Sequence, residues 1–275
     1  SPLPTPREVS TKGNDRGLAV VTGAGQGLGA AIALELACEG FAVLLVARSA
    51  DALDQARAQA AAANGGKAFM LALDLLAPDA MARIREAVAD TGMPLTCLVN
   101  NAGQGLYGRF ADLPIAEQHR MMRLNMDVPV MLTHALLPLL RQAPRAWLLN
   151  ISSMTAYGSI ATLAAYGGSK AFVLRWSRAL GVELKGTGVR VTCACPGSIT
   201  TGFTARAGMQ AMDDLAKKFG TGPEPVAKTC VRAMLKGRAE VVPGLLNRIT
   251  AFFQQVLPAG PVERVGSGIY LKRLG

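Results

Sequence analysis

In the stretch YGGSK, Tyr166 and Lys170 stand four residues apart inside an alanine-rich, apolar segment. On a helix, positions i and i+4 share a face, so the phenol and the ammonium can be aimed at one point. The bland disposition is a core tyrosine beside a lysine whose stem snorkels to water. The chemical one is a tyrosine made a usable acid near neutral pH by the adjacent positive charge. A free phenol has a pKa of about 10, so exchanging its proton near pH 7 needs a shift of roughly three units, about 4 kcal/mol. An ammonium close by shifts it in that direction. Five residues do not choose between the two dispositions.

A second chemical stretch is VVTGAGQGLGAAIALELA, an apolar strand pattern that runs through Gly23, Gly27 and Gly29 into a helix pattern. Glycines there let the backbone turn sharply and approach a diphosphate. The helix N-terminus adds unpaired N–H groups and the positive end of its dipole. A tight turn with no ligand is the alternative. About twenty residues past such glycines, an Asp or Glu would hydrogen-bond an adenosine ribose and favour NAD. Here Ala47, Arg48 and Ser49 occupy that place. A guanidinium grips a 2′-phosphate, so NADP(H) is expected over NAD(H). Asp51, the nearest acid, is read as the cap of the following helix.

These residues need a frame. Short apolar runs beginning at Gly17, Phe41, Ala68, Leu95, Ala146, Val189 and Ala239 read as buried strands, with helix-spaced segments such as DALDQARAQAAAA and DAMARIREAVAD between them. Continuous apolar strands alternating with helices imply an α/β, Rossmann-like doubly wound fold. Its sheet is expected to be mostly parallel and seven-stranded, with helices on both faces. Residues 1–16 are read as a disordered polar tail, 17–243 as one catalytic domain, and 244–275 as an amphipathic C-terminal helix and tail. The polar, Gly/Thr-rich stretch at about 198–222 follows the sixth strand, where a lid over a ligand would lie.

The 275 residues are long enough for one large core, and with half of them hydrophobic and 17% charged the chain is not of the disordered class. The net charge of +10 comes from scattered Lys and Arg without interleaved aromatics, which fits a field for acidic or phosphorylated ligands better than a nucleic-acid stripe. Two histidines and five cysteines (Cys38, Cys97, Cys193, Cys195, Cys230) lack metal-ligand spacing, so no metal is expected. The odd cysteine count and the lack of an apolar signal segment favour a reduced, cytoplasmic setting.

With these pieces placed, the chain resembles the short-chain dehydrogenase/reductase family from Thr22 to about Thr201. The glycine motif stands as Thr22, Gly23, Ala24, Gly25, Gln26, Gly27, Leu28 and Gly29, and the adenine-side acid as Asp74 followed by Leu75. The NNAG signature stands as Asn100, Asn101, Ala102 and Gly103. The helix asparagine is Asn125, the serine Ser153, the Tyr-x-x-x-Lys pair Tyr166 and Lys170, and the nicotinamide-side motif Pro196, Gly197, Ser198, Ile199, Thr200 and Thr201. The resemblance implies that Tyr166 is the general acid/base and that Ser153 holds the substrate oxygen. It also implies that Lys170 bonds the nicotinamide ribose and, together with the positive ring of the oxidised nicotinamide, favours the phenolate, and that Asn125 holds a relay water. Ser152 competes with Ser153, but is expected to face the other side of the strand end. Gly167 and Gly168 are unusual after the tyrosine and would admit a close neighbour or a bulky ligand.

The implied reaction is hydride transfer between a nicotinamide and a carbonyl or alcohol. A silent dinucleotide-binding regulator is the alternative class. Substrate walls are expected at 105–109, 154–160 and 198–222, with Arg109 the main fixed charge. Leu245, Leu246, Ile249, Phe252, Phe253, Val256 and Leu257 fall on one helical face. That face would pack on the body or a subunit, or else meet an acyl chain or a membrane surface. It leans the substrate towards a hydrophobic oxoacyl or sterol-like ketone. The resemblance also implies a homodimer or homotetramer formed through helices around 116–141 and 162–185.

Overall fold

The computed structural model describes residues 16–200 and 220–271. Seven strands form one sheet: β1 (Leu18–Thr22), β2 (Ala42–Ala47), β3 (Ala68–Ala72), β4 (Leu95–Asn100), β5 (Ala146–Ile151), β6 (Val189–Ala194) and β7 (Glu240–Val241). Their order is β3-β2-β1-β4-β5-β6-β7, and every pairing is parallel. All seven apolar runs are therefore strands. The fold is the expected doubly wound one.

Helices α1 (Gly27–Cys38), α2 (Ala50–Asn64) and α7 (Pro223–Leu235) cover one face. Helices α3 (Ala80–Asp90), α5 (Val128–Leu140) and the end of α6 (Ala164–Glu183) cover the other. The strand side chains alternate accordingly, with Ala19 and Val21 in the first layer and Leu18 and Val20 in the second. Two buried faces explain why β1, β4 and β5 read as unbroken apolar runs. At the edge, β3 relaxes to partial exposure.

Chain order reverses between β1 and β4, and this switch point opens a crevice at the carboxyl ends of the strands. Thr22 closes its floor. The Thr22 hydroxyl donates to the Val99 carbonyl at 3.2 Å and accepts the Asn101 and Ala102 amides, both at 3.1 Å. Deeper in, the Asn100 amide donates to Asn150 at 2.8 Å and to Thr133 at 3.0 Å, while Asn150 donates to Ser177 at 2.9 Å. This buried chain of partners ties β4 and β5 to α5 and α6, which fixes the strand ends against the helix that carries Tyr166.

Helix α4 (Ile115–Met122) runs into α5 through a wide π turn, Arg123–Asp127. The C-terminal segment, expected as one helix, is two: α8 (Leu245–Val256) and α9 (Ala259–Leu271). Arg16, read as the last residue of the tail, is pinned: its amide reaches the Gly40 carbonyl at 3.2 Å and its Nε the Glu39 carbonyl at 2.8 Å.

Candidate active site

The glycine loop makes a cradle at the head of α1. Gly23 has φ +65°, and a Cβ there would sit 2.9 Å from Ala102 Cα. A Cβ on Gly29 would lie 2.2 Å from the Gly23 carbonyl oxygen and 2.4 Å from Asn101 Nδ2. Neither position admits a side chain. The closeness is used, because Asn101 Nδ2 donates to the Thr22 and Gly23 carbonyls at 2.9 and 3.2 Å. The N-terminus of α1 begins after Gln26, has no side-chain cap, and carries no acid in its first turn. Its amides and dipole are thus available to a diphosphate. The residues present fit a dinucleotide.

The cavity that starts at this loop has a volume of about 650 Å³. Gly23, Gln26, Gly27, Leu28 and Gly29 line one end with Arg48, Ser49, Asp74 and Leu75. Asp74 accepts the Leu76 amide at 3.1 Å and pairs with Arg120 at 3.1 Å. Partial burial raises its carboxyl, but these partners and the Arg48 charge outweigh it and hold the group below the usual carboxylate range. Arg120, on α4, is a cavity residue that the sequence did not single out, since nothing in its spacing marks it. The cap of α2 is Ser49, whose hydroxyl accepts the Ala52 amide at 3.3 Å. Asp51 lies in the first turn instead, where its charge suits the helix dipole.

At the other end, α6 presents Tyr166 and Lys170 on one face, both buried. Lys170 Nζ lies 5.9 Å from the Tyr166 ring centre and donates to the Ile151 carbonyl at 3.1 Å. Tyr166 and Ser153 share a hydrogen bond. The Ser153 hydroxyl also accepts the Thr155 amide at 3.2 Å, so it both caps its own turn and meets the tyrosine. Ser152 faces away and donates to the Lys170 carbonyl at 2.7 Å. Burial pulls the Lys170 ammonium down to about 8, with the Cys193 and Cys195 thiols acting weakly the other way. Burial likewise pushes the Tyr166 phenol up to about 12, against the Ser153 hydrogen bond and with Tyr270 adding to the rise. The expected downward shift of the phenol is therefore not produced by the protein's own groups. The ammonium that should cause it donates to the Ile151 carbonyl, and burial disfavours its own charged form.

Asn125 sits in the π turn and is buried. Its oxygen accepts the Gln104 amide at 2.9 Å, and its nitrogen donates to the Gln104 carbonyl at 2.9 Å and to Ser169 at 3.0 Å. Both its donors are used, one in clamping the loop after β4 and one in tying it to Ser169 of α6. Gly103 is squeezed between this clamp and the lysine: a Cβ would lie 3.2 Å from both Asn125 Oδ1 and Lys170 Nζ. Asn101, Ala102, Gly103, Pro196, Gly197 and Ile199 all line the cavity. Thr201 and most of the stretch expected as a lid lie outside the described residues.

The substrate walls differ from expectation. Met154, Thr155, Ile160 and Leu163 line the cavity, but of the 105–109 segment none does, and Arg109 is not its fixed charge. Gln104, the residue before that segment, lines the cavity instead, with its backbone held by Asn125. The rest of the wall comes from the C-terminal helices, as Asn247, Thr250, Gln254 and Tyr270. Tyr107 donates to the Tyr270 carbonyl at 2.8 Å, and Ser267 accepts the Ala161 amide at 2.9 Å, which holds α9 over Tyr166. A Cβ on Gly167 would lie 3.4 Å from the Thr155 carbonyl oxygen, whereas one on Gly168 would meet nothing within 4 Å. Asn247, Thr250 and Gln254 fall on the polar face of the amphipathic helix expected here, but nothing in the pattern says that this face meets the cavity, and Tyr270 is a lone residue with no such spacing.

Among the described residues, no group of His, Cys, Asp and Glu is placed to hold a metal. All five cysteines are free, and Cys193 and Cys195 are buried side by side as the strand pattern implied.

Comparison with known proteins fits this geometry. The ketoacyl reductase HetN of Nostoc sp. is 33% identical over 225 residues, 81% of this chain and 77% of that protein. The probable oxidoreductase EphD of Mycobacterium tuberculosis is 34% identical over 235 residues, which are 80% of this chain but only 39% of that longer protein. Among solved structures, a short-chain dehydrogenase from Sphingobium yanoikuyae in complex with NADPH superposes with a TM-score of 0.76 at 26% identity, covering 86% of this chain and 91% of that one. The model of the short chain dehydrogenase family matches residues 17–211, nearly the whole sheet with its cradle and its Tyr-x-x-x-Lys helix, and the chain belongs to that family of nicotinamide-dependent oxidoreductases.

Proposed function

We propose that the protein is an NADP(H)-dependent carbonyl reductase or alcohol dehydrogenase that acts on a neutral, hydrophobic ketone. One observation carries the reading: Tyr166, bonded to Ser153 and set above Lys170, ends the same cavity that begins at the diphosphate cradle. A bound nicotinamide supplies or takes the hydride. Tyr166 supplies the proton at its Oη, and Ser153 holds the substrate oxygen where negative charge develops. Lys170 orients the ribose side and stabilises the phenolate after proton loss. Asn125 keeps Gly103 and Gln104 in place beneath them. A phenol with a pKa of about 12 is fully protonated at neutral pH, which suits the donor in carbonyl reduction.

The cofactor preference rests on Arg48 and Arg120 at the adenosine end, where two guanidiniums flank a single carboxylate. The substrate class rests on the far wall. Met154, Ile160, Leu163 and Tyr270 are apolar, Gln104, Thr155, Thr250 and Gln254 are polar but neutral, and no charge besides Lys170 lines that end among the described residues. The ketoacyl substrate named for the Nostoc relative agrees with this wall. Exposed Met131 on α5, and Phe172 and Val182 on α6, support pairing of two copies through those helices. Free thiols suit a reducing, cytoplasmic compartment.

NADPH consumption by the purified chain, across small diketones, oxoacyl thioesters and sterol-like ketones, tests the reading. Turnover that disappears in Tyr166→Phe while NADPH binding persists is the expected result. Turnover retained in the variant would remove Tyr166 as the acid. Firm NADPH binding without turnover of any ketone would favour the silent regulator.

A further inference from the structure

Helix α8 is amphipathic in the reverse sense. A stripe of polar and small side chains faces the protein: Ala251 is 3% exposed, Asn247 lies over Gly197, and Gln254 lies against Gly158 with its Oε1 buried and unpartnered. Its apolar side chains face outward. Leu245, Leu246, Ile249, Phe252, Phe253 and Val256 are between 45% and 72% exposed, and Leu257 continues the face. A surface helix of a monomeric protein shows the opposite arrangement. So large a contiguous apolar patch marks something that covers it.

We propose that α8 docks flat on an anionic lipid surface. Charge decides between lipid and a second copy. From Leu245 to the end of the sequence there are four basic residues, Arg248, Arg264, Lys272 and Arg273, against one acid, Glu263. The α8 helix itself carries Arg248 and no acid. A two-fold pairing would set this basic segment against its own copy, in a chain whose net charge is already +10. An anionic headgroup layer instead meets exposed Arg248 while Phe252, Phe253, Leu245 and Leu246 enter the acyl boundary, as in an interfacial helix. None of the described helices is long and apolar enough to cross a membrane, so the contact lies on the surface.

The docking stands on the outer face of α8 and does not require the proposed reaction. Joined to that reading, it places the substrate wall formed by Thr250 and Gln254 directly above the lipid, where a hydrophobic ketone partitions.

Flotation of the full chain with phosphatidylcholine–phosphatidylglycerol vesicles, and with phosphatidylcholine alone, tests the docking without an activity readout. Wild type is expected to float with the mixed vesicles and several-fold less with the neutral ones. The Phe252→Ser/Phe253→Ser variant should lose about tenfold or more of its partitioning, and Arg248→Glu should lose part of it in the mixed vesicles only. Both alter exposed side chains, and unchanged NADPH binding by either would show that the site is intact. Wild type left at the bottom of the gradient overturns the proposal, as does a double variant that floats like wild type. A dimer in sedimentation equilibrium that the double variant breaks would assign the face to a second copy and overturn it equally.

Discussion

Replacing Asn125 by alanine tests whether the loop after β4 is held by one side chain. Three hydrogen bonds disappear: two to the Gln104 backbone, both 2.9 Å, and one to Ser169 at 3.0 Å. Ser169 keeps its bond to the Tyr166 carbonyl at 2.7 Å, so it is not orphaned. The Gln104 amide and carbonyl lose their partner within a partly buried loop. Leaving a buried polar group unpartnered costs about 1–3 kcal/mol, and water can reach this loop in part, so we expect a loss of about 3 kcal/mol. For a domain of this size that is roughly 6–10 °C in Tm. Ser169→Ala removes one of the three bonds and should cost about 1 kcal/mol. In a double-mutant cycle the two changes should couple by roughly that amount, because they share a bond. Urea unfolding followed by circular dichroism, with the linear extrapolation applied to all four proteins, supplies the values. An Asn125→Ala protein with an unchanged urea midpoint would refute the clamp. Additive single effects would show that Asn125 and Ser169 act separately.

Two further outcomes follow from the charges of the site. Arg48→Ala should weaken NADPH binding by roughly 10–100-fold while changing NADH little, since a charged hydrogen bond to phosphate contributes about 1.5–3 kcal/mol; equal losses for both dinucleotides in fluorescence titration would refute the phosphate grip. Lys170 has its folded pKa lowered from 10.5 to about 8, so between those values the unfolded chain binds more protons and stability rises with pH. The buried thiols Cys97 and Cys230 and the Tyr166 phenol, all shifted upward, act in the opposite sense at high pH. The difference in unfolding free energy between wild type and Lys170→Met cancels those groups, and it should grow by about 1 kcal/mol per pH unit between roughly pH 8 and 9.5. A flat difference would show that the lysine is not desolvated.

The frame was legible because its signal is local and repeated. A strand buried on both faces is predominantly apolar, so β1, β2, β4 and β5 announce themselves without any tertiary knowledge. Gly23 and Gly29 were legible for a related reason, since a position that cannot hold a Cβ accepts only one residue type. The cap of α2 was misassigned to Asp51 because Ser49 and Asp51 are both good caps, and only the backbone at Ser49 decides which one is used. The substrate wall was legible only in part. Met154, Thr155 and Ile160 fall where the strand end places them, but Gln104 lines the cavity with its backbone held by Asn125, which is a contact across 21 residues.

By itself the sequence determined the doubly wound sheet, the glycine cradle, and the shared face of Tyr166 and Lys170, because each depends on periodicity or on spacing within one element; Ser153 was expected only through the resemblance. Tertiary structure alone decided the electrostatics and the far wall. Whether Lys170 lowers the Tyr166 phenol depends on how deeply both are buried, and burial sends the phenol upward. Which face of α8 meets the protein could not be read from its amphipathicity, since hydrophobic patterning says only that the two faces differ. The body of the protein offers that helix Gly197 and Gly158, whose bare backbones leave room for Asn247 and Gln254 to turn inward, and the phenylalanines stay outside.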